Sequence, residues 1–224
     1  MRSAVPAPPD AAVTLFGPAT ESACHFASLL ATHGVERGLI GPREVPRLWE
    51  RHLLNCGVLA ALVPGDAAVV DIGSGAGLPG LVIAMLRPQV RMTLLEPMLR
   101  RTTFLGECIS ALGLGHVTVC RGRAEDMAGV IRADVATSRA VAPLGRLAEL
   151  SAELVCPGGT ILALKGDHAQ AELDQAAPVL RRLGTRSAEV LKVGHGIVEP
   201  PATVVRILTA GKARRPLTKG TSGR

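Results

Sequence analysis

The spacing of apolar positions changes about two sevenths of the way along the chain, near residue 66. Before that point, apolar residues recur every three or four positions along residues 20–32 and 43–62, which predicts two helices. Residues 1–13 are rich in alanine and proline and are predicted to be loosely ordered. The pattern therefore predicts an N-terminal helical extension over residues 1–66.

From residue 67 onward, short apolar runs alternate with segments of helix length. Runs rich in valine, isoleucine and leucine predict strands at 67–72, 91–95, 117–120, 133–137, 160–164, 187–193 and 203–208. Helix-length segments at 78–87, 99–112, 124–131 and 144–154 separate the first five of these runs. Strands without polar alternation that are connected by helices form a parallel sheet covered on both faces. The last two runs have no helix between them and predict an antiparallel hairpin, so residues 67–210 are predicted to be an α/β, Rossmann-like domain.

Composition narrows the class of protein. The 224 residues are 47% hydrophobic and 20% charged, which is enough to build a core and excludes a wholly disordered chain. The longest apolar runs are far shorter than the roughly 18 residues of a membrane-spanning helix, and the N-terminus has no apolar signal segment. A cytoplasmic protein without a membrane partner is expected. Aromatic residues are only 2%, which disfavours a nucleic-acid platform built on aromatic stacking.

The positive charge is concentrated at the C-terminus. The formal net charge is +6, and residues 211–224 hold five basic residues and no acid, so the rest of the chain is close to neutral. This tail is predicted to be disordered and to add salt-sensitive attraction to phosphates. The five cysteines form no C-x-x-C pair and the six histidines have no ligand spacing, so reduced, buried thiols and no metal site are expected.

A glycine-rich loop follows the first predicted strand and opens the first helix of the α/β region. Residues 75–80, with the sequence G-A-G-L-P-G, fit the G-x-G-x-x-G pattern, in which glycines let the backbone approach a ligand closely. Glu96 follows about twenty residues later, at the end of the second predicted strand, where an acidic side chain suits ribose hydroxyls. Both NAD and S-adenosylmethionine meet this description. Gly73, Gly75 and Gly77 are therefore predicted to bind one of these cofactors.

Three features favour S-adenosylmethionine over NAD. Asp71 precedes the loop, where its carboxylate would serve the ammonium of the methionine part and would repel a pyrophosphate. The acidic segment 123–126 follows the third strand, where it suits the adenine amine. The chain also ends in a hairpin and not in a second mononucleotide-binding half. An NAD-dependent oxidoreductase, or a nucleotide-sensing protein without catalysis, remains an alternative at this point.

Several segments together resemble one family. They are Arg51-His52-Leu53-Leu54-Asn55, the loop 71–80, Leu94-Leu95-Glu96, the R-R-x-x-F-L of 100–105, residues 121–125, Ser138-Arg139-Ala140 and Leu164-Lys165-Gly166. In this order they resemble the RsmG/GidB family, the bacterial 16S rRNA guanine-N7 methyltransferases, over about residues 43–166. The segment Glu199-Pro200-Pro201-Ala202-Thr203 departs from the basic, non-prolyl stretch that many members carry there.

The resemblance implies a class I S-adenosylmethionine-dependent methyltransferase fold and methylation of N7 of one guanine in 16S rRNA. It implies cofactor contacts at Gly73, Leu78, Ala124, Glu125 and Arg139, with Glu96 at the ribose. It also assigns Arg123, Arg139 and Lys165 to the RNA or the target base. The expected partner is 16S rRNA or the small ribosomal subunit, and the expected state is a monomer. A methyltransferase of the same fold that acts on another RNA base or a small molecule is the alternative.

The chemistry of N7 agrees with this implication. Guanine N7 carries a free lone pair, so its methylation removes no proton and needs no general base. The segment 137–143 contains neither an Asp/Asn-Pro-Pro-aromatic motif nor a Pro-Cys pair, which disfavours amino-group and cysteine-dependent C5 methylation. A donor on N7 would block the lone pair, so Arg139 is expected to contact O6, a phosphate or the cofactor. His52 lies on a predicted helix, and both a structural role and a functional role stay open for it.

Overall fold

Seven strands form one sheet in the computed structural model, which describes residues 5–139 and 141–210. The strands are β1 (Ala68–Ile72), β2 (Arg91–Glu96), β3 (Val117–Arg121), β4 (Ala133–Arg139), β5 (Val155–Lys165), β6 (Ser187–Val193) and β7 (Ala202–Leu208). Their order is β3-β2-β1-β4-β5-β7-β6. The first five are parallel, and β7 runs antiparallel to both β5 and β6. The mostly parallel sheet and its antiparallel hairpin are thus confirmed.

Helices cover both faces of this sheet. They are α1 (Asp10–Phe16), α2 (Thr20–Leu29), α3 (Asn55–Gly57), α4 (Gly80–Leu86), α5 (Leu99–Leu112), α6 (Leu144–Ala152) and α7 (Ala169–Arg182). Successive strand residues belong to different cores, since Val69 packs with the N-terminal extension and α4 whereas Val70 packs under α6 and α7. Burial on both faces explains why the strands show no polar alternation.

The N-terminal extension is more continuous with the sheet than its sequence suggested. One hydrophobic core contains Phe26 and Leu53 of the extension together with Leu81 of α4 and Leu94 of β2. Tight and wide helical turns take the place of one regular helix over the predicted stretch 43–62: Pro42–Arg47 and Val58–Leu62 are 3₁₀ turns, and Leu48–Leu54 is a π-helix. This arrangement brings the turn Leu48–Leu54 against the end of β4.

The prediction of a loose segment over residues 1–13 is wrong for its described C-terminal part. Helix α1 begins at Asp10, and Ala12 is fully buried. The indole N–H of Trp49 donates to the carbonyl of Pro6 at 2.9 Å, and the ring of Phe16 meets that indole edge-on. Long-range packing against Trp49 therefore orders a segment whose composition predicted only loose order.

Three other segments differ from expectation. The stretch predicted as a helix at 124–131 contains only the 3₁₀ turn Ala124–Met127, and β5 begins at Val155, earlier than predicted. Helix α7 was not predicted, because its buried face consists of Ala169, Ala176 and Leu180, a weak apolar signal. The basic tail 211–224 lies outside the described residues.

Candidate cofactor and substrate site

A cavity of about 510 Å³ opens at the carboxyl ends of β1, β2 and β4. The loop between β1 and α4 forms its floor, and Gly73 and Gly75 adopt φ values of +65° and +55° there. Other side chains rarely adopt this left-handed conformation, so the glycines are needed for the turn. The wall includes Gly73, Ser74, Gly75, Ala76, Leu78, Glu96, Arg101, Arg123, Ala124, Glu125 and Arg139. Most of the predicted cofactor residues are thereby brought to one cavity.

Two predicted cofactor residues lie behind this wall. Gly77 is in contact with Leu81: a Cβ added at Gly77 would lie only 2.4 Å from the Cδ1 atom of Leu81. Asp71 is fully buried, and its two oxygens accept the Gly80 N–H at 3.1 Å and the Thr137 hydroxyl at 3.0 Å. Burial raises the pKa of Asp71 to about 7. Asp71 therefore connects α4 to β1 and β4, and its carboxylate is not presented to the cavity.

Glu96 lines the cavity from the end of β2. Its Oε2 atom accepts the Gly75 N–H at 3.0 Å and faces an Arg101 guanidinium nitrogen at 3.4 Å, while Oε1 accepts the Met98 N–H at 3.1 Å. A carboxylate has about four acceptor positions, so one position on Oε1 remains. Glu96 thus shapes the glycine loop and retains capacity for a ligand hydroxyl. Of the two arginines that open α5, it is Arg101 that reaches the site.

The opposite wall comes from the turn after β3. Arg123 lines the cavity and Arg121 is absent from its wall. Strand β3 ends at Arg121, so Arg123 belongs to the turn that follows and not to the strand. Glu125 is exposed and pairs with Arg146 of α6. Its own backbone N–H, and next the Arg146 guanidinium, lower the pKa of Glu125, so it is ionised at neutral pH.

A second, larger cavity is an open groove of about 1420 Å³ on the same edge of the sheet. Its sides are the turn Leu48–Leu54, the segment 141–143 after β4, the end of β5 and the 196–203 connection of the hairpin. Among the described residues, Arg139 and Val141 alone line both cavities. The two cavities therefore meet at the end of β4.

The three residues assigned to the RNA or the target base do not all line the same cavity. Arg139 and Lys165 share the groove, whereas Arg123 lines the smaller cavity. The Lys165 ammonium lies 2.6 Å from Glu172 and donates to the carbonyl of Ala142 at 3.0 Å, and its side chain is only 9% exposed. Glu172 also accepts the N–H of Leu144. Lys165 and Glu172 thus hold the segment 142–144, whose first two residues line the groove.

Arg139 is held by residues that the sequence analysis did not place in the site. Its Nη2 atom lies 2.9 Å from Nδ1 of His52, whose Nε2 atom lies 2.9 Å from Glu44. The Nη1 atom makes only longer contacts, at 3.5 Å to the Arg51 carbonyl and 4.0 Å to the Cys56 sulfur. The signal for His52 was its position in the R-H-L-L-N motif. Glu44 had no sequence signal.

The groove has no excess of positive charge. Its described lining includes the carboxylates of Glu44, Glu50, Asp167, Glu172 and Glu199 and the cations of Arg51, Arg139 and Lys165. Attraction of a polyanion therefore depends on individual cations or on residues outside the groove. Of the cysteines, Cys56 and Cys108 are buried and the other three are half-buried, so the prediction of burial holds for two of them.

Residues 5–139 and 141–210 contain neither a metal-ligating cluster nor a membrane-spanning helix. No group of three or more histidine, cysteine or acidic residues lies close enough there to hold a metal ion. No helix in the same part of the chain has the length and apolar character needed to cross a membrane.

Comparison with known sequences finds one family. The family model described as GidB, rRNA small subunit methyltransferase G, matches residues 19–198. A protein of Thermobifida fusca named ribosomal RNA small subunit methyltransferase G is 56% identical over 200 residues, which covers 89% of this chain and 84% of that protein. A protein of Streptomyces avermitilis with the same name is 55% identical over 204 residues, which covers 91% of this chain and 86% of that protein.

Solved structures share the fold at low sequence identity. A putative S-adenosyl-L-methionine-dependent methyltransferase from Methanococcus maripaludis superposes with a TM-score of 0.57 at 13% identity, covering 72% of this chain and 86% of that one. A precorrin-6y C5,15-methyltransferase from Geobacter metallireducens superposes with a TM-score of 0.51 at 15% identity, covering 77% and 91%. The predicted class I methyltransferase fold is confirmed.

Proposed function

We propose a reaction for this chain from one premise: the chain belongs to the family of rRNA small subunit methyltransferase G. The reaction is transfer of a methyl group from S-adenosylmethionine to N7 of one guanine in 16S rRNA. The chain is thus an enzyme whose substrate is 16S rRNA or the small ribosomal subunit, and its place of action is the cytoplasm, where ribosomes assemble.

The meeting of two cavities at the end of β4 is the observation that carries this proposal. Methyl transfer needs the donor and the acceptor to be held in line and in contact. The 510 Å³ cavity is within the range for a small cofactor, and the open 1420 Å³ groove has room for a nucleotide of a larger substrate. Arg139 and Val141 line both, so ligands in the two cavities meet beside them.

The residues of the smaller cavity fit S-adenosylmethionine. The remaining acceptor position on Glu96 suits a ribose hydroxyl, and the turn Ala124–Met127 presents backbone and Glu125 for the adenine amine. The loop of Gly73 and Gly75 allows a ligand to lie close to the backbone. When bound, the cofactor supplies a methyl group activated by a positively charged sulfonium.

The groove suits a reaction that needs no general base. Guanine N7 attacks with a free lone pair, and His52 and Glu44 are already bonded to each other. Arg139 supplies donors for the O6 edge of guanine or for a phosphate. Its long Nη1 contacts leave those donors available at the junction. Lys165 and Glu172 contribute by holding the segment 142–144, which lines the groove directly after Val141.

The sheet order disfavours the NAD-dependent alternative. Dinucleotide-binding domains repeat two mononucleotide-binding halves in the order 3-2-1-4-5-6. Here the antiparallel β7 lies between β5 and β6, so the second half is incomplete. A methyltransferase that acts on another RNA base or on a small molecule shares this sheet, and the experiment separates these cases.

The test is methyl transfer to defined substrates. The protein is incubated with labelled S-adenosylmethionine and with unmethylated 30S subunits, naked 16S rRNA or a pool of small metabolites. We expect label in 16S rRNA and chain cleavage at one position after the chemistry specific for N7-methylguanine. Label in the RNA without that cleavage would show that the methyl group is transferred to an atom other than guanine N7. Label only in the metabolites would refute the RNA substrate, and no label in any sample would refute the proposal.

A further inference from the structure

A chain of two hydrogen bonds connects the N-terminal extension to the junction of the cavities. Glu44 lies in the turn Pro42–Arg47, His52 lies in the turn Leu48–Leu54, and Arg139 ends β4. The two contacts, Glu44 to His52 and His52 to Arg139, are each 2.9 Å long. The extension thereby contacts a residue that lines both cavities.

The chemistry of the side chains determines which group donates and which accepts in each of these two hydrogen bonds. An arginine guanidinium only donates hydrogen bonds, so Nδ1 of His52 accepts from Arg139. The ring of a neutral histidine then carries its proton on Nε2, which faces the carboxylate of Glu44. This geometry is consistent only with a neutral His52, because a protonated ring would turn an N–H toward the N–H of Arg139.

The charges around His52 favour the neutral form. Its side chain is 12% exposed, and burial, and next the positive charge of Arg139, lower its pKa below the usual 6.5. Glu44 opposes this shift and Arg51 adds to it. Beyond the Arg139 guanidinium are the Cys56 thiol and the buried carboxyl of Asp71.

We propose that His52 is a positioning residue for methyl transfer, which holds the Arg139 guanidinium at the junction of the two cavities while Glu44 fixes the orientation of the imidazole. The inference rests on the proposed function, because Arg139 is taken to act on the bound guanine, phosphate or cofactor. The N-terminal extension then completes the site and does more than cover the sheet.

The inference predicts an acid limb in the pH profile. The neutral ring holds Arg139, so the rate constant kcat is full at neutral and alkaline pH. As the pH falls through the pKa of His52, which lies below 6.5, the contact is lost and kcat declines. Replacing Glu44 with glutamine keeps an acceptor for Nε2–H and removes a charge that favours the protonated ring. The limb in Glu44→Gln is therefore expected to move to lower pH.

Two substitutions of His52 separate positioning from folding. His52→Asn keeps a side-chain oxygen near the place of Nδ1 and cannot be protonated, so it is expected to retain at least about a third of kcat and to lose the acid limb. His52→Leu removes the acceptor and is expected to lower kcat about tenfold or more with an unchanged thermal midpoint. The control is His33→Leu, since His33 also contacts a glutamate, Glu36, at 3.2 Å but lines neither cavity.

The measurements are kcat and KM for 16S rRNA from about pH 5 to about pH 9, thermal unfolding, and ¹⁵N NMR of the His52 ring. A folded His52→Leu protein with the kcat of wild type overturns the inference, as does an acid limb that persists in His52→Asn. The NMR spectrum tests it without any reaction: we expect the Nε2–H tautomer at pH 7, and an Nδ1–H tautomer or a protonated ring refutes it. A wild-type protein that methylates no RNA but shows the Nε2–H tautomer contradicts only the proposed function.

Discussion

The buried carboxyl of Asp71 is expected to make the stability of the protein depend on pH. Asp71 lies beneath the glycine loop, where its oxygens accept the Gly80 N–H and the Thr137 hydroxyl. Replacement by asparagine keeps the shape and an acceptor for Gly80 and removes the ionisable group. The amide also has a donor that can face the Thr137 oxygen. Asp71→Asn is therefore a small structural change with a large electrostatic consequence.

The magnitude follows from the difference between the folded and unfolded pKa. Burial raises the pKa of Asp71 from 3.8 to about 7 in the folded protein. Between these values the folded state holds a proton that the unfolded state has released, so the free energy of unfolding falls as the pH rises. A shift of one unit corresponds to about 1.4 kcal/mol, so the full ionisation penalty is about 4 kcal/mol. Between about pH 5 and about pH 8, about 2.5 kcal/mol of it develops.

The assay is urea denaturation of wild type and Asp71→Asn at several pH values. Relative to the variant, wild type is expected to lose about 2.5 kcal/mol over that range, with no further relative loss above about pH 8. The control is Asp134→Asn, which removes an exposed carboxylate that also accepts a backbone N–H, from Ala68. A stability difference between wild type and Asp71→Asn that stays constant with pH, or a wild type that gains stability relative to the variant as the pH rises, would refute the reasoning about Asp71.

Three further predictions concern the glycine loop, the cofactor and the segment 142–144. Gly80→Ala places a Cβ 2.4 Å from Leu94 and is expected to lower the free energy of unfolding by about 1–3 kcal/mol. Gly106→Ala meets open space on the exposed face of α5 and is expected to raise the free energy of unfolding by about 1 kcal/mol. Urea denaturation that ranks the two variants in the opposite order contradicts this. Glu96→Ala removes the acceptor of two loop N–H groups and is expected to weaken S-adenosylhomocysteine binding about tenfold or more in calorimetry, and unchanged affinity would remove Glu96 from the cofactor site. Lys165→Ala is expected to keep cofactor affinity within about threefold and to lower kcat about tenfold or more, and the same is expected when Glu172, the ion-pair partner of Lys165, is replaced by alanine. Full activity in both variants contradicts the role of these two residues in holding the segment 142–144.

The strands could be predicted because each is a short run buried on two faces. Val69 and Val70 point to opposite cores, and both cores are apolar, so the run itself carries the signal. Helix α7 was missed for the converse reason, since alanines make most of its buried face. The ordered part of the N-terminal segment was missed because its stability depends on Trp49, more than thirty residues away.

Some features of the candidate site could likewise be predicted from the sequence, and others could not. The glycine loop and Glu96 could be predicted to share one cavity, since a local motif requires a particular backbone conformation there. The burial of Asp71 behind the loop could not, because the motif shows that a carboxylate is adjacent in sequence and does not show which way it points. Gly106 has no structural reason, since no atom outside the helix lies within 4 Å of the position that a Cβ would take there.

The sequence by itself determined the α/β class, the position of the glycine loop and the family, because each depends on short patterns with a direct backbone meaning. Only the tertiary structure decided that two cavities meet at Arg139 and that His52, itself bonded to Glu44, contacts the Arg139 guanidinium. Arg139 and His52 are separated by 87 positions, and their contact exists because the extension shares a core with the sheet. A contact of this kind depends on packing between distant segments, and no pattern within either segment specifies it.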